Sequence, residues 1–269
     1  MSAFQSPVLG QYIPTGSVLH RLDPRTKLLF VFGYMFVVFL AQDALAYLFL
    51  TVIAAGGVWL SRIPLPMIFR GLKPILWLIA LTALLHLGFT KGGDLLLQWG
   101  PVTVYEEGVR QAGWMSLRFL LLVVMGTLLT LTTSPIDLTD GLERLLKPLE
   151  KLRVPAHELA LMMSIALRFL PALWEETEKI IKAQQARGAD FETGNLFQRA
   201  KSYIPVIIPL FVSAFRRAEE LALAMEARCY RGGKGRTRIR QLQFAPRDWG
   251  MLVLLAGLTG VLLWLRLNT

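Results

Sequence analysis

Two patterns of apolar and polar positions divide this chain. The first is the long, nearly uncharged run, found at about residues 28–41, 44–60, 74–90, 109–131 and 249–265. Runs of this kind predict membrane-crossing helices. The first two are short for a hydrocarbon core of ~30 Å, so flanking residues are expected to complete them. Trp249 and Trp264 stand near the two ends of the last run, as an interfacial belt would place them.

The second pattern lies between the fourth and fifth runs, where apolar residues recur every three or four positions. Leu138, Leu142, Leu145, Leu149 and Leu152 form a 4-3-4-3 stripe, with Asp140, Glu143, Arg144, Lys147 and Glu150 on the other sides. This predicts an amphipathic helix over about 135–152. A long helix is expected from about Pro155 to Arg187, with Leu159, Met162, Met163, Ala166, Leu170 and Leu173 at helical spacing and a kink at Pro171. A second is expected from about Phe197 to Cys229, broken at Pro205 and Pro209. Residues 204–214 are apolar but too few to cross a bilayer.

Local signals fix several element ends. Asp23 suits an N-cap and Pro24 the first helical position. Ser134, Pro135 and Asp137 repeat that start in capping-box form. Pro64 and Pro66 read as breakers in a loop over 61–73. Residues 95–97 and 102–104 flank Gly100-Pro101 and predict a small hairpin.

Composition agrees with a membrane protein. The chain has 269 residues, 54% of them hydrophobic, which a soluble domain rarely reaches. A net charge of +10 raises the question of nucleic acid, but the cations are not spread evenly. Twenty-five of the twenty-nine lysines and arginines fall in residues 1–27, 61–73 and 134–247. Five spans with the N-terminus inside put all three regions on the cytoplasmic face and the C-terminus outside. Bilayer, not nucleic acid, is therefore the expected surface. Arg25 and Lys27 are expected to snorkel to the headgroups. The basic run Arg231, Lys234, Arg236, Arg238 and Arg240 is expected to anchor on anionic lipid. Arg118 is the one charge well inside a span, a position that often marks function. No h-region precedes the first run, so no cleaved signal is expected.

Catalytic chemistry finds little support. Cys229 is the only cysteine, so an intrachain disulfide and a cysteine metal site are both excluded. His20, His86 and His157 are scattered, and no metal site is expected. Gly232-Gly233-Lys234-Gly235-Arg236 lacks the spacing of a phosphate-binding loop, so any ATP must be hydrolysed by another chain. The spans hold almost no Asp, Glu or His, which argues against an intramembrane enzyme. The expected fold is all-α and polytopic. It has about five transmembrane helices and a cytoplasmic domain of long amphipathic helices, divided as residues 1–133, 134–245 and 246–269.

Both long helices end alike, in Ala186-Arg187-Gly188 and Ala227-Arg228-Cys229. An arginine in a last turn favours the helix dipole, and glycine just beyond is a common C-cap. An arginine at a helix tip also offers a planar fork to a carboxylate on a partner. The ordered set His20-Arg21-Leu22-Asp23-Pro24-Arg25-Thr26-Lys27, Thr132-Thr133-Ser134-Pro135, Ala166-Leu167-Arg168-Phe169-Leu170-Pro171, Ala183-Gln184-Gln185-Ala186-Arg187-Gly188, Arg216-Arg217-Ala218-Glu219-Glu220-Leu221-Ala222 and Ala224-Met225-Glu226-Ala227-Arg228-Cys229-Tyr230-Arg231-Gly232 resembles the transmembrane T component of energy-coupling factor (ECF) transporters over nearly the whole chain.

That resemblance implies a membrane bundle with cytoplasmic coupling helices, two of which cross. It implies ATPase contacts at Ala186, Arg187, Gly188, Ala227, Arg228 and Cys229, which dock into two separate ABC-type ATPase subunits. A small substrate-binding membrane S component, for a vitamin or a metal ion, is implied on the other side of the coupling helices. The residues expected to meet it are Met162, Met163, Leu170, Pro171 and Met225. Methionines there suit a surface that accepts several partners. ATP and magnesium would be bound by the ATPases, with no cofactor in this chain. The host would be a bacterial or archaeal cell membrane. A subunit dedicated to cobalt, nickel or biotin is the neighbouring alternative. Cys229 replaces the glycine usual in this family. It is expected to resist a left-handed cap, so the second helix is expected to end differently.

Overall fold

The computed structural model describes residues 12–99, 102–148, 155–191, 193–232 and 244–268. Its helices are α1 (Pro24–Leu40), α2 (Ala44–Ser61), α3 (Leu65–Phe89), α4 (Glu106–Thr132), α5 (Pro135–Leu146), α6 (Ala156–Ala186), α7 (Leu196–Ser202), α8 (Ile204–Ala227) and α9 (Pro246–Asn268). A 3-10 turn at Leu19–Arg21 precedes α1. Strands β1 (Leu95–Trp99) and β2 (Val102–Tyr105) pair antiparallel, with Trp99 opposite Val102, as the hairpin signal predicted. The Gly100-Pro101 turn, Leu149 and Leu152 of the stripe, and Lys234, Arg236, Arg238 and Arg240 of the basic run lie outside the described residues.

Five described helices are long and apolar enough to cross a bilayer: α2, α3, α4, α6 and α9. The chain is an all-α, multi-pass membrane protein. The membership of this set differs from the expected spans at two places. Helix α1 has 17 residues, the lower end of the ~17–25 that a span needs. Helix α6 qualifies by length, although its second half carries Glu175, Glu176, Glu178, Lys179 and Lys182.

The prolines were partly misleading. Pro64 and Pro66 do not hold open a long loop: Pro64 is the N-cap of α3 and Pro66 lies in its first turn. A missing N–H costs nothing there. Helix α3 therefore begins nine residues before Pro74, which it contains, and it carries Arg70 and Lys73. Helix α6 runs through Pro171. The second long helix divides at Tyr203 into α7 and α8, with Pro205 in the first turn of α8 and Pro209 inside it. Both expected caps form: Asp23 accepts from the Arg25 N–H at 2.9 Å, and Ser134 Oγ accepts from the Asp137 N–H at 3.1 Å.

The chain forms two compact units that divide inside α5, between Gly141 and Leu142. One holds α1–α4, the hairpin, the start of α5, and α9. Its core centres on Tyr34, Val38, Leu50 and Leu121. Tyr34 Oη donates to the Leu50 carbonyl of α2 at 2.9 Å, and the Tyr47 ring stacks on Trp114 of α4 at 4.7 Å. Helices α3 and α4 come so close that a Cβ on Gly108 would sit 2.9 Å from the His86 carbonyl oxygen.

Long-range hydrogen bonds tie the lead segment and the start of α1 to the C-terminal ends of α2 and α4, and the start of α1 to the start of α9. The Ile13 N–H donates to Leu131 O at 3.1 Å, and Thr15 Oγ1 to Ser61 O at 2.9 Å. Asp248 Oδ1 accepts from the Asp23 N–H at 2.9 Å, while its Oδ2 accepts from Ala245. Lys27 does not snorkel. It is 5% exposed, and its Nζ donates to Thr132 O at 2.9 Å and His20 O at 3.4 Å. A cation at the exposed carbonyls of a helix C-terminus is favoured by the same dipole that rejects it at an N-terminus. Arg118 also has partners: Nη2 donates to Ala41 O, just past α1, and Nε to Tyr47 Oη, both at 3.1 Å. It closes the end of a neighbouring helix.

Candidate coupling site

In the second unit α6 and α8 lie side by side in opposite directions. Gln184, near the end of α6, reaches the Pro205 carbonyl at the start of α8. Midway, Glu176 accepts from Ser213 Oγ and from Arg217 Nη2, the latter at 2.8 Å. At the other end His157, in the first turn of α6, meets Tyr230 just past α8. The two C-terminal ends, and so Arg187 and Arg228, therefore stand at opposite ends of the pair. The 31-residue length of α6 puts them ~45 Å apart. The site residues form two separate clusters.

The clusters share one backbone design. Arg187 is the C-cap of α6, Gly188 follows with φ of +87°, and the N–H groups of Gly188 and Ala189 donate to Gln185 O and Gln184 O. Arg228 is the C-cap of α8, Cys229 follows with φ of +55°, and the N–H groups of Cys229 and Tyr230 donate to Glu226 O and Met225 O. Both ends are complete Schellman motifs. The expectation for Cys229 is thus corrected: the cysteine adopts the left-handed conformation and the second helix ends like the first. Two capping hydrogen bonds offset the ~1–2 kcal/mol that a Cβ costs there. Ala186, Arg187, Ala227, Arg228 and Cys229 are all exposed.

The segments behind the caps differ. After Arg187 the chain turns back, buries Phe191, and sets its ring 5.0 Å from that of Tyr203, while Arg199 Nε donates to Phe191 O. After Arg228, Tyr230 Oη lies 3.3 Å from His157 Nε2, and His157 Nδ1 lies 3.0 Å from Glu143 Oε1 of α5. This chain joins the starts of α6 and the end of α8 to α5. Sequence reading missed it, because His157 stands alone in the sequence.

Of the other predicted residues, Met162, Met163 and Leu170 are exposed on α6, and Pro171 and Met225 are half-buried. The antiparallel register puts the three methionines in the half of the pair that ends at Arg228. The other half has a greasier surface that was not singled out: Ile204, Ile207, Ile208, Phe211, Val212 and Phe215 of α8 are all exposed. The signal was there in the apolar stretch too short to be a span. Among the described residues no three His, Cys, Asp or Glu side chains gather as a metal site.

A family model described as cobalt transport protein (CbiQ) matches residues 15–239. The chain belongs to this family. Its relatives include the energy-coupling factor transporter transmembrane protein EcfT of Brevibacillus brevis, 56% identical over 97% of this chain and 99% of that protein. The EcfT of Bacillus subtilis is 51% identical over 97% and 98%, and that of Clostridium kluyveri 51% over 90% of both. The match to EcfT proteins runs nearly end to end. This transmembrane component is therefore a T component of energy-coupling factor transporters, a non-catalytic transport subunit held in the membrane by apolar helices.

Proposed function

We propose that the α6–α8 pair couples two ABC-type ATPase subunits to a substrate-binding S component, with Arg187 docked on one ATPase and Arg228 on the other. The observation that carries this reading is the repeated arginine-bearing cap at opposite ends of an antiparallel pair. Such a pair has a local two-fold relation between its ends, which suits a two-fold related pair of partners. Each guanidinium is exposed on a fixed turn, so a carboxylate in a partner groove can be bound bidentately. ATP and magnesium belong to those partners in this reading. The N-terminus and residues 134–245 face the cytoplasm and the C-terminus lies outside, in a bacterial or archaeal cell membrane.

The apolar surface made by Met162, Met163, Leu170, Pro171 and Met225 receives the S component in this reading, and the exposed start of α8 extends it. Motion of the ATPases moves the pair and with it the S component, delivering a vitamin inside. The family description names cobalt, which favours a second reading as a subunit dedicated to a metal ion. Capture of several S components by one preparation supports the shared form, and capture of one supports the dedicated form.

The test is co-purification with the ATPase pair in detergent, wild type against Arg187→Glu and Arg228→Glu. Each reversal is expected to lower recovery of the complex, or to leave ATP hydrolysis without uptake, while the subunit's melting temperature stays put. Wild-type binding and transport by both variants would reduce the arginines to helix caps and sink the reading.

A further inference from the structure

A cleft of about 430 Å³ opens between α1, α2, α4 and α9 in the membrane bundle. Its volume lies in the ~300–1,000 Å³ range of small-ligand sites. Phe30, Val31, Ile53, Gly57, Met125 and Leu128 make apolar walls. Among the described residues, the only charged ones that line it are Lys27 and Arg247, and both lie at the end where α1 and α9 begin.

The lysine is the unusual element. It is almost fully buried, yet among the described residues no carboxylate forms an ion pair with it. Two of its three N–H groups go to carbonyl oxygens. Asp23, Asp137 and Asp248 are near enough to act on it at a distance. None of the three lines the cleft. Asp23 accepts from Arg25, Asp137 from Ser134 Oγ, and Asp248 from Asp23 and Ala245. Buried charges are normally paired, so an ammonium with a donor to spare beside an open apolar cleft calls for an anion. Arg247 is exposed at the mouth, and Trp249, exposed one turn or less away, is the residue type that marks headgroup depth.

We infer that this cleft holds one anionic phospholipid, with an acyl chain along the apolar walls and its phosphate on Lys27 Nζ and the Arg247 guanidinium. The acyl chain alone gives no preference, because the surrounding bilayer is as apolar as the walls. Selection lies at the headgroup, where two cations favour phosphatidylglycerol over zwitterionic phosphatidylethanolamine. The lipid supplies the direct ion pair that α1, α4 and α9 do not.

The full-length protein would be placed in nanodiscs holding equal amounts of the two lipids, extracted into mild detergent, and weighed by native mass spectrometry. Wild type is expected to retain one phosphatidylglycerol, with a preference of roughly fivefold or more for each contacting cation. Arg247→Gln is expected to lower the preference and keep an occupant. Gly56→Leu fills the cleft from α2, where a Cβ meets nothing within 4 Å, and is expected to expel the lipid. A melting curve separates expulsion from misfolding, and Arg247→Gln decides the case if Gly56→Leu does not fold. Loss of all lipid from wild type, equal retention of both lipids, or unchanged selectivity in Arg247→Gln would each overturn the inference.

Discussion

The two ends of the α6–α8 pair have one cap and two kinds of support. Behind Arg187 the support is a ring contact between Phe191 and Tyr203, with one side-chain hydrogen bond from Arg199 Nε to Phe191 O. Behind Arg228 it is a chain of polar contacts from Tyr230 through His157 to Glu143, which fixes both distance and angle. In the proposed docking, identical caps would hold the same kind of partner. Different supports make the ends unequal: the Arg228 end is joined to α5, and the Arg187 end to α7 and Tyr203. Two identical tips would then leave the two orientations of a partner dimer equivalent, and unequal supports would remove that equivalence.

The largest expected effect breaks the shared part of the comparison. Glu at either arginine should weaken ATPase binding at least ~30-fold, as loss of a desolvated charge pair does. The measurement is a titration of labelled ATPase pair into the reconstituted subunit, and an affinity equal to wild type for both would count against docking. Next comes the polar support. His157→Ala removes the ring that links Glu143 to Tyr230, at a cost of ~0.5–1.5 kcal/mol. Cys229, exposed and the only cysteine, reports on this end through its rate of maleimide labelling. Faster labelling with unchanged hydrogen exchange around Arg187 is expected, and equal loosening of both ends would erase the distinction.

A smaller effect compares the cap residues. Cys229→Gly removes a Cβ from a left-handed position, whereas Gly188→Cys adds one at φ of +87°. The two changes should move thermal stability in opposite directions by about 1 kcal/mol. Shifts of the same sign would show that the ends do not share a cap. The smallest effect is a control in the membrane unit. Burial holds the His20 pKa below its ordinary value of 6.5. The neutral ring is the one the fold accepts, so its contribution is complete above pH 6.5 and is lost as pH falls through the lowered value. Between about pH 7 and about pH 5 wild type should lose more melting temperature than His20→Gln, with Cys229 labelling at about pH 7 the same in both proteins.

Signals carried by adjacent residues were legible. Asp23-Pro24 and Ser134-Pro135 announced helix starts that form as read, and residues 95–97 and 102–104 announced a hairpin. Signals that depend on distant partners were not. Lys27 looked like a headgroup lysine because Thr132, its acceptor, is 105 residues away. Arg118 had no visible partner because Ala41 and Tyr47 lie on other helices. Pro64 was read as a stop when its position made it a start. Both arginine tips were evident from sequence, but their placement at opposite ends rests on side-chain pairs such as Glu176 with Arg217. Propensity also misjudged Cys229, since a glycine preference of ~1–2 kcal/mol is small beside the capping bonds it opposes.

The bond from the Asp23 N–H to Asp248 spans 225 positions, and this sets a schedule for biosynthesis. Helix α1 leaves the ribosome 225 positions ahead of the carboxylate that completes its entrance. At ~5–20 residues per second the wait is about 10–45 s. During that interval the first helix must be tolerated by the insertion machinery with its entry unfinished. The Asp23 N–H has no carboxylate from α9 until residue 248 is made, so a chain stalled before that point is unfinished at the start of α1.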